Sequence, residues 1–567
     1  METSLQKTER TYLKLILGSL SAVVVLVLLC WGGFRFYRGW EEGHLVRRAS
    51  AVLSGGDFKI ASLNARRVLQ LNPENADAMR LMAEIAEKSN ERSAVDWRRK
   101  VLQLRPHSVD DALALARSAL RVKDFDTARR TIEGLGDAAT ENPEFHAASA
   151  RVAEARKDFS AAEAHWAKAA ELAPGETRHR LLLALVRLGL PETAKRESAL
   201  TVLKQLRADP SQQATATRAL LLDGIAHRQE SKDVLSLAQE LQAYPDAFFN
   251  DRILYLDLLR QVRDPAYDNY LLRLKLETRS RPADVATLLS WMARNRMHEG
   301  ALEFTKTLPA DDVSRWPVPL AIAEAYAQAK DWVELEKMTR KSAWSAHEFL
   351  RRAYLARALR EQGKTFAAEQ EFTAAQKEAA SKPLVLSILT RTVADWGWQR
   401  EAVELLWALT RNSDTRASAL QTLYEHYIKA GDTSGLYRAL TKLAELNPDD
   451  ARIQNNLAQV SLLLGVDTDH ARKAAAELTN RDPSNPAYAS THAFSLLSKG
   501  DVKGALQVMD RLNEDQRRDP SVATYYGLVL AAAGENERAR EFLTRSSGAK
   551  LLPEEKAMVA RAERGSN

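Results

Sequence analysis

The sequence predicts an all-α fold, an α-solenoid superhelix of roughly 14 or 15 stacked helix hairpins preceded by one N-terminal transmembrane helix. Glycines recur in the C-terminal half at steps of 34 or 35 residues, and an alanine or leucine follows each by five or six residues. A fixed period of this length is typical of repeated helix hairpins. An uncharged apolar segment near the N-terminus predicts the transmembrane helix. The glycines are Gly363, Gly397, Gly431, Gly465, Gly500 and Gly534.

The N-terminal segment comes first in the chain. Residues 1–14 are predicted to form a short tail, and residues 15–36 a transmembrane helix. Twenty residues without charge lie between Lys14 and Arg35, and about 20 apolar residues are enough to span a bilayer. A cleaved signal peptide is the alternative, because positive charges precede the apolar run. The length of the run and the lack of an Ala-x-Ala site after it favour the anchor.

The orientation of this anchor is predicted from its surroundings. Positive charges stand on both sides of the apolar segment, so the charge asymmetry that usually sets orientation is small. A short tail before a single span resembles the signal anchors of bacterial envelope proteins. That arrangement predicts a single-pass membrane protein with its repeats on the extracytoplasmic, periplasmic side.

The repeat extends toward the N-terminus once the turn residue can be lysine, arginine or asparagine. Lys123, Lys157 and Lys330 are each followed by an aspartate and an aromatic residue, in the same setting as the glycines. Counting back predicts fifteen turns in all, which occupy nearly the whole chain. Besides the six glycines, the turns are predicted near Gly56, Asn90, Lys123, Lys157, Gly189, Ser231, Arg263, Arg296 and Lys330.

The fit to the repeat divides the chain into regions. Residues 42–199 and residues 321–548 are predicted to be N-terminal and C-terminal repeat arrays. Residues 200–320 fit poorly, with one spacing of 42 residues, and are predicted to be a degenerate helical region. Residues 549–567 are predicted to be a capping helix and tail, because Pro553 and two glutamates suit the first turn of a helix.

A clean unit shows why these residue types recur. Gly56 supplies a turn conformation that a Cβ atom disfavours. Ala61 is small where two helices approach closely, and Pro73 follows the second helix because proline cannot continue it. The same Leu-x-Pro ending recurs at Pro106, Pro174 and Pro448, in the last case as Leu-Asn-Pro.

Such a unit, with small residues at its eighth and twentieth places and a closing proline, resembles the tetratricopeptide repeat over about residues 42–548. The pentatricopeptide repeat has a similar period but lacks the Leu-x-Leu-Asn-Pro closure. The resemblance implies that the first helices line a concave groove that binds other proteins. It is carried in one unit by Ala150, Ala162, Trp166, Ala169 and Pro174, and in the last unit by Gly527, Ala539 and Leu543.

In this family the second, fifth, ninth, twelfth and thirteenth places of the unit face the ligand. The ninth place holds Arg117 and Arg151 in adjacent units, with Arg121 one turn beyond Arg117. A row of guanidinium groups suits a carboxylate or an acidic peptide. The fifth place holds Asn456 and Tyr525 in two C-terminal units, where an amide and a flat ring suit an extended peptide. The lysines and asparagines of the family's carboxylate clamp are not reproduced.

Catalytic and cofactor motifs are missing from the sequence. It contains no His-Glu-x-x-His, Gly-x-Ser-x-Gly or Gly-x-Gly-x-x-Gly, and no two histidines at helical spacing. Cys30 is the only cysteine, so no thiolate metal site exists in one chain. We therefore expect no enzyme activity, no cofactor and no metal. An alternative, an enzyme with its site in residues 200–320, would draw on Asp251, Asp257, Asp264, Asp268 and His298.

The charge pattern limits the classes of partner. The 81 basic residues nearly balance the 75 acidic ones, for a formal net charge of +6, and the two signs are mixed along the helices. This pattern is typical of solvated helices and gives no reason to expect nucleic acid. The sequence thus predicts a membrane-anchored scaffold for protein–protein interactions in bacterial envelope assembly, secretion or polysaccharide export. The alternative is a binder of an anionic polymer, acidic polysaccharide or RNA, along a basic groove.

Overall fold

The computed structural model describes residues 37–565, without the side chains of residues 137, 138 and 565. Helices joined by short turns make up this part of the chain, and it contains no β-strand. The helices form fifteen consecutive hairpins. They fall into two compact units, one up to Arg273 and the other from Leu274 onward. The prediction of an all-α fold of repeated hairpins is confirmed.

The helices of the first unit follow one another in hairpin order, and the last of them runs past the boundary of the unit. They are α1 (residues 37–54), α2 (Phe58–Leu71), α3 (Ala76–Lys88), α4 (Ser93–Leu104), α5 (Val109–Arg121), α6 (Phe125–Glu133), α7 (Pro143–Ala155), α8 (Phe159–Leu172), α9 (Thr177–Leu188), α10 (Thr193–Leu206), α11 (Gln213–Ala226), α12 (Ser231–Ala243), α13 (Phe249–Gln261) and α14 (Tyr267–Glu277).

In the second unit two short helices, α17 and α30, interrupt the alternation of first and second helices, and α33 follows the last hairpin. The helices are α15 (Pro282–Arg294), α16 (His298–Lys306), α17 (Ala310–Ser314), α18 (Val318–Ala329), α19 (Trp332–Lys341), α20 (Glu348–Glu361), α21 (Thr365–Ala379), α22 (Pro383–Asp395), α23 (Gln399–Leu409), α24 (Ser413–Ala430), α25 (Thr433–Leu446), α26 (Ala451–Leu464), α27 (Thr468–Arg481), α28 (Pro486–Leu497), α29 (Val502–Met509), α30 (Glu514–Arg518), α31 (Pro520–Ala532), α32 (Asn536–Arg545) and α33 (Pro553–Gly565).

The turns of the hairpins have the predicted backbone conformation. Thirteen of the fifteen predicted turn residues have φ between +54° and +85°, the left-handed region. The two exceptions are Gly189, whose φ is −84°, and Ser231, which is the first residue of α12. The residue with positive φ before α12 is Arg228, at +51°. From Arg228 the next turns follow at Arg263 and Arg296, so the period is regular again within residues 200–320.

Capping residues fix where the helices begin. An aspartate follows the turn residue in seven hairpins, and in six of them its side chain accepts a hydrogen bond from a backbone N–H three residues later, which satisfies a free donor of the second helix. First helices often begin with proline, which has no N–H to leave unpaired. The six capping aspartates are Asp57, Asp124, Asp158, Asp331, Asp432 and Asp501. The prolines are Pro143, Pro282, Pro383, Pro486 and Pro520.

Small residues allow the two helices of each hairpin to pack closely. The alanines that the period predicts at this contact are at most 4% exposed: Ala61, Ala162, Ala368, Ala402, Ala471, Ala505 and Ala539. Larger side chains fill the space around them, among them Trp166 at 2% exposure. The two helices of a hairpin therefore bury apolar faces against each other and against neighbouring hairpins, as in repeat arrays.

Arginine–aspartate pairs join consecutive first helices in two places. Arg80 on α3 donates to Asp111 on α5 at 2.6 and 2.8 Å, and Arg218 on α11 donates to Asp251 on α13 at the same two distances. Both aspartates are the third residue of their helix and are at most 5% exposed. The hydrogen bonds from Arg80 hold the pKa of Asp111 below its usual value. We call these two contacts the staples.

The structure corrects the predicted localisation. No helix in residues 37–565 combines the length and the apolar composition needed to cross a bilayer. Helix α24, for example, has 18 residues but carries Asp414, Arg416, Glu425 and Lys429. The predicted tail of residues 1–14 and transmembrane helix of residues 15–36 lie outside the described residues. A single-pass membrane location with extracytoplasmic repeats was therefore the wrong prediction for this structure and is withdrawn.

Candidate functional site

A cavity of about 480 Å³ opens on the first helices of three consecutive hairpins, α5, α7 and α9. Arg117, Arg121 and Arg151, the three arginines predicted for the groove, all line it. Arg117 and Arg151 are one repeat apart and both are the ninth residue of their helix, so the repeat places them side by side. We call this cavity the arginine groove.

Three further charged residues line the arginine groove: Glu144, Glu176 and Arg178. These three residues were not among the predicted groove residues. Glu144 and Arg178 are the second residues of α7 and α9. The resemblance to the tetratricopeptide repeat marks the second place as ligand-facing, so that place could have identified both of them.

The arginines of the groove differ in their partners. Arg117 donates to Glu144 at 3.0 Å, and both side chains are more than half exposed, so this pair contributes little to stability. Arg121 donates to the backbone oxygen of Glu87 at 2.7 Å. Arg151 and Arg178 are exposed and make no side-chain hydrogen bond or ion pair in residues 37–565. Two guanidinium groups on the groove are therefore free to bind an anion.

Trp166 and His179 form the apolar wall of the arginine groove. Their ring centroids are 5.8 Å apart, and the Trp166 Nε1–H donates to Glu154 at 2.6 Å. His179 is 7% exposed, and its Nδ1 has no hydrogen-bond partner in the described residues. An unpaired polar atom in a buried side chain is unusual. A ligand in the groove could supply the missing partner.

The other two predicted groove residues, Asn456 and Tyr525, line a second cavity of about 380 Å³. Asn456 is half-buried and donates to the hydroxyl of Tyr424 at 3.1 Å. Tyr525 is only 4% exposed. Its hydroxyl donates to Glu555 of α33 and accepts from Gln459 at 2.8 Å. A partner reaches Tyr525 only if α33 leaves this face.

The C-terminal helix α33 lies across first helices of the second unit. It contacts α26 and α31 as well as the last second helix, α32. Glu554 accepts from the hydroxyl of Thr433, 121 residues earlier, at 2.5 Å. Glu555 is 4% exposed and also accepts from Gln459 at 3.0 Å. We call this set of contacts the clasp.

The acidic residues proposed for an enzyme site have structural roles where their contacts are known. Asp251 caps α13 and belongs to a staple. Asp264 accepts from the backbone N–H of Ala266 at 2.8 Å in the turn before α14. His298 opens α16 in the second unit, and its Nδ1 is buried without a partner. No group of three or more histidine, cysteine, aspartate or glutamate residues in the described part of the chain could hold a metal ion.

Comparisons with known proteins find similar structures but no similar sequences. No family model matches the chain, and no curated protein matches it. The double mutant of MamA RS-1 is 15% identical with a TM-score of 0.28, over 30% of this chain and 95% of its own. The APC/C hetero-tetramer Cut9–Hcn1 is 14% identical with a TM-score of 0.31, over 80% and 96%. PilF of Pseudomonas aeruginosa is 15% identical with a TM-score of 0.32, over 40% and 99%.

The hairpins of this chain, their mostly left-handed turns and the buried alanines at the helix contacts are the features of the tetratricopeptide repeat. The resemblance predicted from the sequence is confirmed as a fold: the chain is an array of tetratricopeptide-type helix hairpins.

Proposed function

We propose that the chain is a scaffold for protein–protein interactions, and that its arginine groove binds an acidic segment of a partner protein. The observation that supports this is the charge of the groove, where four arginines face two glutamates and two of the arginines have no partner. A guanidinium group binds a carboxylate through two parallel hydrogen bonds. The envelope setting expected from the sequence depended on the membrane anchor and is not part of this proposal.

The shape of the groove suits a peptide better than an isolated anion. The arginines come from different hairpins, so a ligand that contacts Arg151 and Arg178 must extend along the array. Trp166 and His179 offer apolar surface between them, and the free Nδ1 of His179 can exchange a hydrogen bond with a backbone amide. A segment with carboxylates separated by an apolar side chain matches both features.

Binding to a labelled acidic peptide tests the proposal. We expect an acetylated octapeptide of alternating glutamate and leucine to bind the full chain, and its glutamine counterpart to bind at least tenfold more weakly. The double variant Arg151→Glu with Arg178→Glu should lower the affinity for the acidic peptide at least tenfold, about 1.4 kcal/mol of binding free energy, because it replaces electrostatic attraction with repulsion. Fluorescence anisotropy at fixed salt measures both effects.

Arg66→Glu is the matched control, because Arg66 is an exposed arginine of α2 outside the groove. The affinity of the Arg66→Glu variant for the acidic peptide should equal that of the unmodified chain. Equal binding of the glutamate and glutamine peptides would contradict the proposal. An anionic polymer would differ in its salt dependence, since binding through many phosphates weakens steeply as salt rises. A steep salt slope with heparin or RNA and no binding of the peptide would favour the polymer.

A further inference from the structure

A second cavity with unpaired charges lies in the second unit, far along the chain from the arginine groove. It measures about 840 Å³, within the range of ligand pockets, and opens on first helices α15, α18, α20 and α22. Its polar lining includes Ser290, Glu324, Tyr354, Arg357 and Asp395. The sequence analysis assigned no role to any of these residues.

Arg357 is the most unusual side chain of this cavity. Its guanidinium group lies between Trp332 and Trp396, 5.4 and 4.8 Å from the ring centroids. It makes no ion pair in the described residues, and its Nε is buried without a hydrogen-bond partner. Burial lowers the pKa of Arg357, because a charged guanidinium loses contact with water there. A half-buried cation without a counter-ion is costly unless something binds it.

A neighbouring arginine shows what Arg357 lacks. Arg360, three residues later on α20, lies over the ring of Trp398 at 3.6 Å, much as Arg357 lies over Trp396. Arg360 also donates to Glu401 of the next hairpin at 2.7 Å. The two arginines thus share the aromatic contact, but of the two only Arg360 has a carboxylate partner among residues 37–565.

Glu324 lies in the same cavity and also makes no ion pair in the part of the chain that the structure describes. It is half-buried on α18, and it accepts one hydrogen bond, from the hydroxyl of Ser290 at 3.2 Å. Burial raises the pKa of Glu324 above its usual value. Its remaining acceptor sites can bind an N–H group. Asp395, at the edge of the cavity, is exposed to solvent.

We infer that this cavity binds a peptide whose carboxylate pairs with Arg357 and whose backbone N–H groups reach Glu324. The inference rests on the proposed function in taking a peptide as the ligand, but it concerns a different unit and different residues. The Trp396 ring lies 4.8 Å from the guanidinium carbon and packs edge-on against the buried Tyr354, so it holds the guanidinium in place and leaves its polar edge for the ligand. The carboxylate is either an acidic side chain or the C-terminus of the peptide, since both present the same two oxygens.

Three peptide pools distinguish these sources. All are hexapeptides with random uncharged residues: the first has one fixed aspartate and an amidated C-terminus, the second has a free C-terminus and no aspartate, and the third has neither. We expect the immobilised full chain to retain one of the first two pools at least tenfold more than the third. Arg357→Gln should reduce this retention to the level of the third pool, and Arg357→Lys should restore part of it, because lysine keeps the charge without the planar fork.

Arg391→Gln on α22 is the matched control, because Arg391 is exposed and lies outside the cavity. It should leave retention unchanged, and circular dichroism should show the same helical content in all variants. Retention that survives Arg357→Gln, or equal retention of the three pools, would overturn the inference. Retention lost in Arg151→Glu with Arg178→Glu but kept in Arg357→Gln would support the arginine groove alone. The reverse pattern would support this cavity and reject the arginine groove.

Discussion

The turn residues show how one backbone conformation accepts different side chains. Glycine adopts positive φ without strain, but an L-residue in the left-handed region pays roughly 1–2 kcal/mol for its Cβ atom. Six turns of the C-terminal half have glycine at this point, whereas Lys123, Lys157 and Lys330 keep the same conformation without it. The packing of the hairpins therefore overrides the local preference at these lysines.

Replacing such a lysine with glycine should stabilise the protein. For Lys330→Gly, where φ is +57°, we expect the free energy of unfolding to rise by about 0.5–1 kcal/mol, because strain in the folded state is relieved. Lys337→Gly within α19 should do the opposite, by about 1 kcal/mol, because glycine disfavours a helix interior. Thermal unfolding followed by circular dichroism compares the two. A loss of stability in Lys330→Gly would show that the turn carries no strain.

Residue by residue, the sequence predicted turns better than it predicted surfaces. Thirteen turns could be placed because the period and the Asp caps repeat locally. Ser231 was the wrong residue because the turn lies three residues earlier, at Arg228, where neither a glycine nor a following aspartate marks it. The role of Arg357 depends on two tryptophans 25 and 39 residues away and on a missing carboxylate. No local pattern reports an absent partner.

Glu336 shows how a single carboxylate joins two elements. It lies on α19 and accepts hydrogen bonds from Lys364 at 2.7 Å and Gln362 at 2.9 Å, both in the turn that follows α20. Arg340 on its own helix donates at 2.9 Å. The hydrogen bond from Lys364 is the main reason that the pKa of Glu336 is lowered to about 2. This carboxylate therefore holds the ninth and tenth hairpins together in its ionised form.

Because the pKa of Glu336 is lower in the folded state, its contribution is present above the unfolded value near 4.5 and is lost as the pH falls toward 2. We expect Glu336→Gln to lower the free energy of unfolding by about 1 kcal/mol at pH 7, the size of a charge-assisted hydrogen bond discounted for solvent. The difference should shrink between pH 4.5 and pH 2. Urea unfolding at several pH values measures it.

Glu303→Gln is the control for this prediction. Glu303 pairs with Lys306 on α16, and both side chains are 69% exposed, so removing the charge should change stability very little. A difference between Glu336→Gln and the unmodified chain that stays constant down to pH 2 would contradict the role of the carboxylate.

At the level of elements, the position of α33 could not be predicted from the sequence. Pro553 and the two glutamates after it correctly indicated a helix. Its contacts, however, lie as much as 121 residues back along the chain, at Thr433. The period of the sequence indicates only which hairpins are neighbours, so it predicted Tyr525 to lie on an open groove. In the structure Glu555 of α33 covers Tyr525.

Within each of the two compact units, most packing contacts join neighbouring hairpins. The free energy of unfolding of such an array is close to the sum of one term for each hairpin and one term for each interface between neighbours. The clasp departs from this pattern in the second unit. It connects Thr433 and Gln459 with Glu554 and Glu555, and so links hairpins that are not adjacent along the chain. Within this unit, the hairpins from α24 to α32 should therefore unfold more nearly together than a simple array.

Removing residues 549–567 should make these hairpins unfold more independently of one another. We expect faster amide hydrogen exchange in α26 and α31, which α33 covers, and a broader urea transition, because cooperativity is lost. Hydrogen exchange with mass spectrometry measures the first effect. Glu563→Ala, an exposed position on the same helix, should leave exchange unchanged. Unchanged exchange in the truncated chain would mean that the clasp is not a structural link.

The staples have a consequence for how such an array can evolve. Repeat proteins gain and lose whole repeats, but each staple joins side chains of two different hairpins. In the first staple, Arg80 lies in one hairpin and Asp111 in the next. If the unit of α3 were copied in place, Arg80 would meet Ala78 of the copy at the third position of the helix, where Asp111 now stands. One arginine would lose the carboxylate of the next hairpin and keep only Asp77 of its own helix. These ion pairs therefore depend on which hairpins are adjacent. The array tolerates substitution of single residues more readily than duplication or reordering of whole hairpins.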